Sequence, residues 1–123
     1  MTKDIHKDVK GQSEDALQQK CVFWFWNEYP SLRGLLFSVP NGGTRSGKEG
    51  KKLNLTGVVS GVCDLILLYN NRAFLIEMKT EHKRSKQSTN QRLWQEKVEA
   101  HGFHYFIVRS LQDFKELIRL LIT

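Results

Sequence analysis

Two acids and a lysine punctuate the apolar middle of the sequence. Asp64 opens the run DLILLY, and Glu77 and Lys79 close the next one, RAFLIEMKT. Both runs have the length and the branched composition of strands, and only Asn70-Asn71 separates them. Asn tolerates the positive φ that a two-residue hairpin turn demands. With Tyr69 facing Arg72, counting back along both strands sets Asp64 opposite Glu77. Directly opposed residues of an antiparallel pair share a face, with Cβ atoms about 5 Å apart. Lys79, two residues past Glu77, projects from that face as well.

Opposed carboxylates repel. At about 5 Å and an effective dielectric near 20 the cost is about 3 kcal/mol, so the pairing calls for a cation. A divalent ion shared by both groups offsets that cost, and Mg²⁺ or Mn²⁺ favours such oxygen ligands. A neighbouring ammonium can orient an attacking water or stabilise charge on a phosphate. The competing arrangement puts Asp64 at a strand end and pairs Glu77 with Lys79 or Lys97 on a solvated face. The register favours the metal centre, and the acids and lysine by themselves do not decide it.

The elements that must position these groups are legible in outline. Ser13 is an N-cap candidate followed by Glu14 and Asp15, where a helix dipole favours acids, and the helix runs to about Glu28, before Pro30. Leu17, Cys21 and Trp24 share one of its faces; Val22, Trp26 and Tyr29 share another. A helix that is apolar on two sides is covered on two sides, which suggests a subunit interface. Gly34 to Val39 reads as a strand, Thr44 to Leu55 as a basic segment with room for a short helix, and Gly57 to Gly61 as a loop. A basic loop from Glu81 to Thr89 leads to a helix from about Asn90 to His101, closed by Gly102. His104 to Val108 is a further strand. Ser110 caps the last helix, with Asp113 at the capping-box position and an apolar stripe of Leu111, Phe114, Leu117, Ile118 and Leu121. The order implies an α/β domain, a mixed sheet flanked by helices, over 13–123, preceded by a loose polar segment at 1–12.

The net charge of +6 suits a polyanionic partner. Arg45, Lys48, Lys51 and Lys52 flank the acids on one side, and Lys83, Arg84 and Lys86 on the other. Such clusters fit phosphate contacts that place a duplex without reading its sequence; solvated loops fit them as well. Asn41, with Gly42-Gly43, offers backbone amides that could approach a phosphate, though two glycines after Pro-Asn fit a simple turn as well. Cys21 and Cys63 form no Cys-x-x-Cys pair, no signal peptide or bilayer-length apolar run is visible, and a reducing, intracellular, cytoplasmic setting without a membrane partner is expected. His6, His82, His101 and His104 do not make a metal set, and Trp24, Trp26 and Trp94 read as core or interface. The sequence holds no P-loop, dinucleotide fingerprint or nucleophile elbow.

Taken in order, Glu14 in the first helix, Pro40-Asn41-Gly42, Gly57 and Gly61 before Asp64, Glu77-Met78-Lys79, Gln91, Gly102 and the Ser110 helix resemble the virus-type replication-repair nuclease (VRR-NUC) family of the PD-(D/E)xK superfamily. The resemblance spans nearly the whole chain. It implies a restriction-endonuclease-like core and a Mg²⁺- or Mn²⁺-dependent endodeoxyribonuclease. In it, Asp64, Glu77 and the carbonyl of Met78 hold the metal, and Glu14 joins through a water. Lys79 positions or activates the nucleophilic water, and Gln91 sits beside Lys79 and the phosphate. It further implies a stand-alone homodimer cutting branched DNA such as four-way junctions, of bacterial or phage origin. The family has Pro where this chain has Cys63. The rival expectations are an inactive DNA-binding module of the same fold and a hydrolase of small phosphate esters; the second has no use for seven flanking cations.

Overall fold

Ser13 accepts a hydrogen bond from the amide of Ala16 at 3.0 Å and starts α1 (Glu14–Glu28), as the capping residue requires. The computed structural model describes residues 13–40, 55–80 and 86–123. After α1, Pro30–Leu32 make one 3₁₀ turn, and β1 (Leu36–Ser38), β2 (Leu65–Tyr69) and β3 (Arg72–Met78) follow. Next come α2 (Thr89–Ala100), β4 (His104–Val108) and α3 (Leu111–Leu121). The segment expected to be loose, 1–12, and the suggested short helix, apart from Leu55, lie outside the described residues.

The sheet is mixed and runs β1-β2-β3-β4, with β3 and β4 parallel and the other pairs antiparallel. Asn70 and Asn71 adopt φ of 54° and 66°, the left-handed pair of a tight hairpin turn, and Tyr69 faces Arg72. The expected register therefore holds along the ladder as far as Leu65 opposite Ile76. A parallel neighbour needs a long crossover, and α2 supplies it between β3 and β4.

The two faces are covered unequally. Leu65, Leu67, Phe74, Ile76 and Met78 meet Leu17, Cys21 and Phe25 of α1 and Phe114 and Ile118 of α3. Fully burying side chains of this size contributes about 1.5–3 kcal/mol each, so this side carries most of the stability. On α1 the buried row is Leu17, Cys21 and Phe25, at steps of four, whereas Trp24 was expected to complete it. Trp24 instead stands edge-on to Phe114, with ring centroids 6.0 Å apart. The opposite face is a smaller cluster of Cys63, Leu75 and Tyr105 under Trp94 and Val98 of α2. Its loop is held by Gly61, at φ +87°, where a Cβ would lie 2.4 Å from the carbonyl oxygen of Asn90. Among the described residues no helix is long and apolar enough to cross a membrane.

Candidate active site

The alternation that buries Ile76 and Met78 beneath α1 and α3 turns Leu75 and Glu77 toward α2. Glu77 is completely buried. A carboxylate so placed needs partners, and its two oxygens are treated differently. Oε1 accepts from Nε2 of Gln87 at 3.0 Å and from the Tyr105 hydroxyl. Oε2 accepts no hydrogen bond; the ammonium of Lys79 lies 3.5 Å away, at ion-pair distance.

Lys79 follows the last residue of β3, and its amide extends the ladder by donating to Val108 at 2.9 Å. Its side chain is 7% exposed, a position lysine accepts only when paired. Besides Glu77 it meets Oε2 of Glu14 at 3.7 Å, from the first residue of α1. The helix N-cap at Ser13 thus delivers Glu14 to the same end of the sheet as the hairpin acids.

Asp64 departs from the expected direct pairing. The ladder ends at Leu65, and the Asp64 amide donates to Ile76, 3.1 Å away, rather than pairing with Glu77. Its carboxylate accepts from the Met78 amide at 2.6 Å, a side-chain to backbone bond that competes with continuing the strand. Burial, with the negative charges of Glu14 and Glu77, raises the Asp64 carboxyl above its usual range, against the pull of the Met78 amide and of Lys79. The carboxylate therefore senses both other acids and the lysine.

Gln91 is the N3 residue of a capping box. Its Oε1 accepts from Ser88 N at 2.8 Å, and its amide donates to Ser88 Oγ at 3.1 Å. The side-chain amide that reaches Glu77 is that of Gln87, in the segment the sequence reads only as a basic loop. Tyr105 is the other residue missed. It pairs with Leu75 across the parallel ladder and reaches along the face to Glu77. Burial and that bond push its hydroxyl upward, so it remains a neutral donor.

Cys63, where the family pattern has Pro, is wholly buried, and its Sγ donates to the carbonyl of Leu65 at 3.3 Å. It serves as a small core residue that ties down the approach to Asp64. Of the expected nucleic-acid contacts, Lys86 is exposed; Asn41, Arg45, Lys48, Lys51, Lys52, Lys83 and Arg84 lie outside the described residues.

The donor set suits a hard cation in part. The Glu77 oxygen without a hydrogen bond and the raised carboxyl of Asp64 are both groups that a divalent ion would relieve. Among the described residues no three His, Cys, Asp or Glu side chains converge as a complete ligand group, and Glu14 forms an ion pair with Lys79. Two carboxylates with water in the other positions is the sparse ligation that Mg²⁺ accepts.

No family model and no curated protein matches the sequence. Among solved structures, the chain is similar to a VRR_NUC domain protein, with a TM-score of 0.76 and 21% identity. The match covers 91% of this chain and 89% of that one. At this identity the likeness establishes the fold alone: among the described residues, a mixed four-stranded sheet with three helices, shared with that protein.

Proposed function

We propose that the chain is a VRR-NUC-type, divalent-metal-dependent endodeoxyribonuclease acting on branched DNA. One observation carries the reading: a fully buried Glu77 whose Oε1 is fastened by two donors and whose Oε2 is left to Lys79, next to Asp64. Asp64 and Glu77 would hold Mg²⁺ or Mn²⁺, with the Met78 carbonyl as a further ligand. A cation there supplies Lewis acidity toward a phosphoryl oxygen and makes water more acidic.

The remaining work falls to the chain's own groups. Lys79, held between Glu77 and Glu14, keeps its ammonium where it can orient a water and balance charge growing on the phosphate. Glu14 is half-exposed and would complete the site from α1 through a water. The Met78 amide keeps Asp64 directed at the site. The capping box uses the carbonyl oxygen of Gln91, so a phosphate contact by that residue would come from its Nε2. Hydrolysis proceeds without a covalent enzyme intermediate.

DNA as substrate is supported by the net charge of +6 and the basic segments on either side of the acids. Pairing of two copies is supported by the half-exposed Phe23 and Phe37, which with Val22 and Trp26 line a groove between α1 and β1. A symmetric dimer would set two sites on a symmetric junction.

The test is cleavage of labelled four-way junctions, flaps and duplexes in Mn²⁺ and in EDTA. The expected result is metal-dependent cutting, preferring branched DNA, that Glu77→Gln abolishes. Tight junction binding with no cutting, unchanged in Asp64→Ala, would make the chain a binding module instead. A clean 14.3 kDa species in sedimentation at micromolar concentration would remove the dimer.

A further inference from the structure

A glutamate end group turns easily, because its last torsion has a broad, nearly two-fold preference. Which oxygen of Glu77 faces Lys79 must therefore be set by its surroundings. The surroundings here are asymmetric: both hydrogen-bond donors sit on Oε1 and neither on Oε2. Of the two donors, the Tyr105 hydroxyl is the buried one. Tyr105 is 8% exposed, and its ring packs against Trp94 of α2, with centroids 6.0 Å apart and planes at 62°. Gln87 is held in turn by Gln95, whose Oε1 lies 2.7 Å from Gln87 Nε2.

We infer that Tyr105, oriented by Trp94 and assisted by Gln87, is a positioning residue that locks the Glu77 carboxylate with Oε2 presented to a metal ion. The inference rests on the metal-centre reading above. A phenol O–H on a carboxylate is a charge-assisted bond, stronger than a neutral one, and it spends Tyr105's single proton on this contact. Both residues belong to the α2 face, so packing of the crossover helix sets the direction of a ligand at the sheet's end. Groups that orient a metal-binding carboxylate typically change metal affinity or activity about 10–100-fold when removed.

The test is calorimetric titration of Mn²⁺ into wild type, Tyr105→Phe, Gln87→Leu and Glu77→Gln. Junction binding in EDTA and thermal unfolding are measured beside it. Tyr105→Phe keeps the ring against Trp94 and removes only the hydroxyl. The expected result is an about 10-fold or greater loss of Mn²⁺ affinity in Tyr105→Phe and a smaller loss in Gln87→Leu, with metal-free DNA binding at the wild-type level. Gln87 is half-exposed, so its variant reports even if Tyr105→Phe folds poorly. Wild-type Mn²⁺ affinity in both variants, alongside a clear loss in Glu77→Gln, would overturn this inference and leave the metal centre standing. No Mn²⁺ uptake by the wild type would overturn both.

Discussion

Replacing Lys79 by Met keeps the length of the side chain and removes its charge from a site that is almost closed to water. At the 3.5 Å that separates Nζ from Glu77 Oε2, an effective dielectric near 20 gives an attraction of about 5 kcal/mol. The contact with Glu14 adds less than about 1 kcal/mol, because that carboxylate is 43% exposed and screened. Removing one member of a buried pair strands the other, and the usual cost is about 3–5 kcal/mol. In a domain of this size that lowers the melting temperature by about 10–20 °C. The double variant Glu77→Gln/Lys79→Met leaves no stranded charge and should unfold close to the wild type. Millimolar Mn²⁺ should narrow the gap between Lys79→Met and wild type by giving Glu77 another counter-charge. Calorimetric unfolding of the wild type and both variants in EDTA and in Mn²⁺ measures these effects. If Lys79→Met melts with the wild type in EDTA, Lys79 is not what neutralises the buried glutamate.

Gly61→Ala should cost at least about 2 kcal/mol in urea unfolding, since a left-handed φ is combined with a Cβ placed 2.4 Å from backbone that cannot move away. Gly57→Ala, at φ +97° but facing open space, should cost about 1 kcal/mol, and equal losses would contradict the close approach. Burial pushes the Cys21 and Cys63 thiols from 9.0 up to about 12. Their folded values are raised, so their contribution to stability is complete below pH 9.0 and is lost as pH climbs toward about 12. Urea midpoints across that window should fall in the wild type and fall less steeply in Cys21→Ala/Cys63→Ala, where the raised Tyr105 hydroxyl still contributes; parallel curves would refute the assignment. Near neutral pH both thiols should react with a disulfide reagent only as fast as the chain unfolds.

What could be read from the sequence follows the reach of local signals. The Asn70-Asn71 turn sets a register within a few residues, and the β2–β3 ladder follows it to Leu65 opposite Ile76. The caps at Ser13 and Ser110 locate two helix starts for the same reason. The match fails where a side chain and the backbone compete, at Asp64, whose carboxylate takes the Met78 amide and leaves the ladder. It fails again where contacts cross the parallel pair. No turn fixes β4 beside β3, so nothing local announces that Tyr105 stands next to Leu75 and reaches Glu77. The polar loop residue Gln87 carried no signal at all. The resemblance puts Gln91 beside Lys79 and the phosphate, whereas in the structure its side-chain oxygen is used by the helix cap, which the sequence reading did not foresee. Lys79 was legible as a neighbour of the acids, but its burial came only with the packing.

A crystal of the wild-type protein soaked in Mn²⁺ and measured at the manganese edge tests the central claim most directly. The expected result is an anomalous peak bounded by the Asp64 carboxylate and Glu77 Oε2, with Lys79 Nζ displaced from that oxygen or shared with a water. A saturating soak that leaves this position empty, with Lys79 still on Glu77, would mean that the buried acid serves the fold and not phosphodiester hydrolysis.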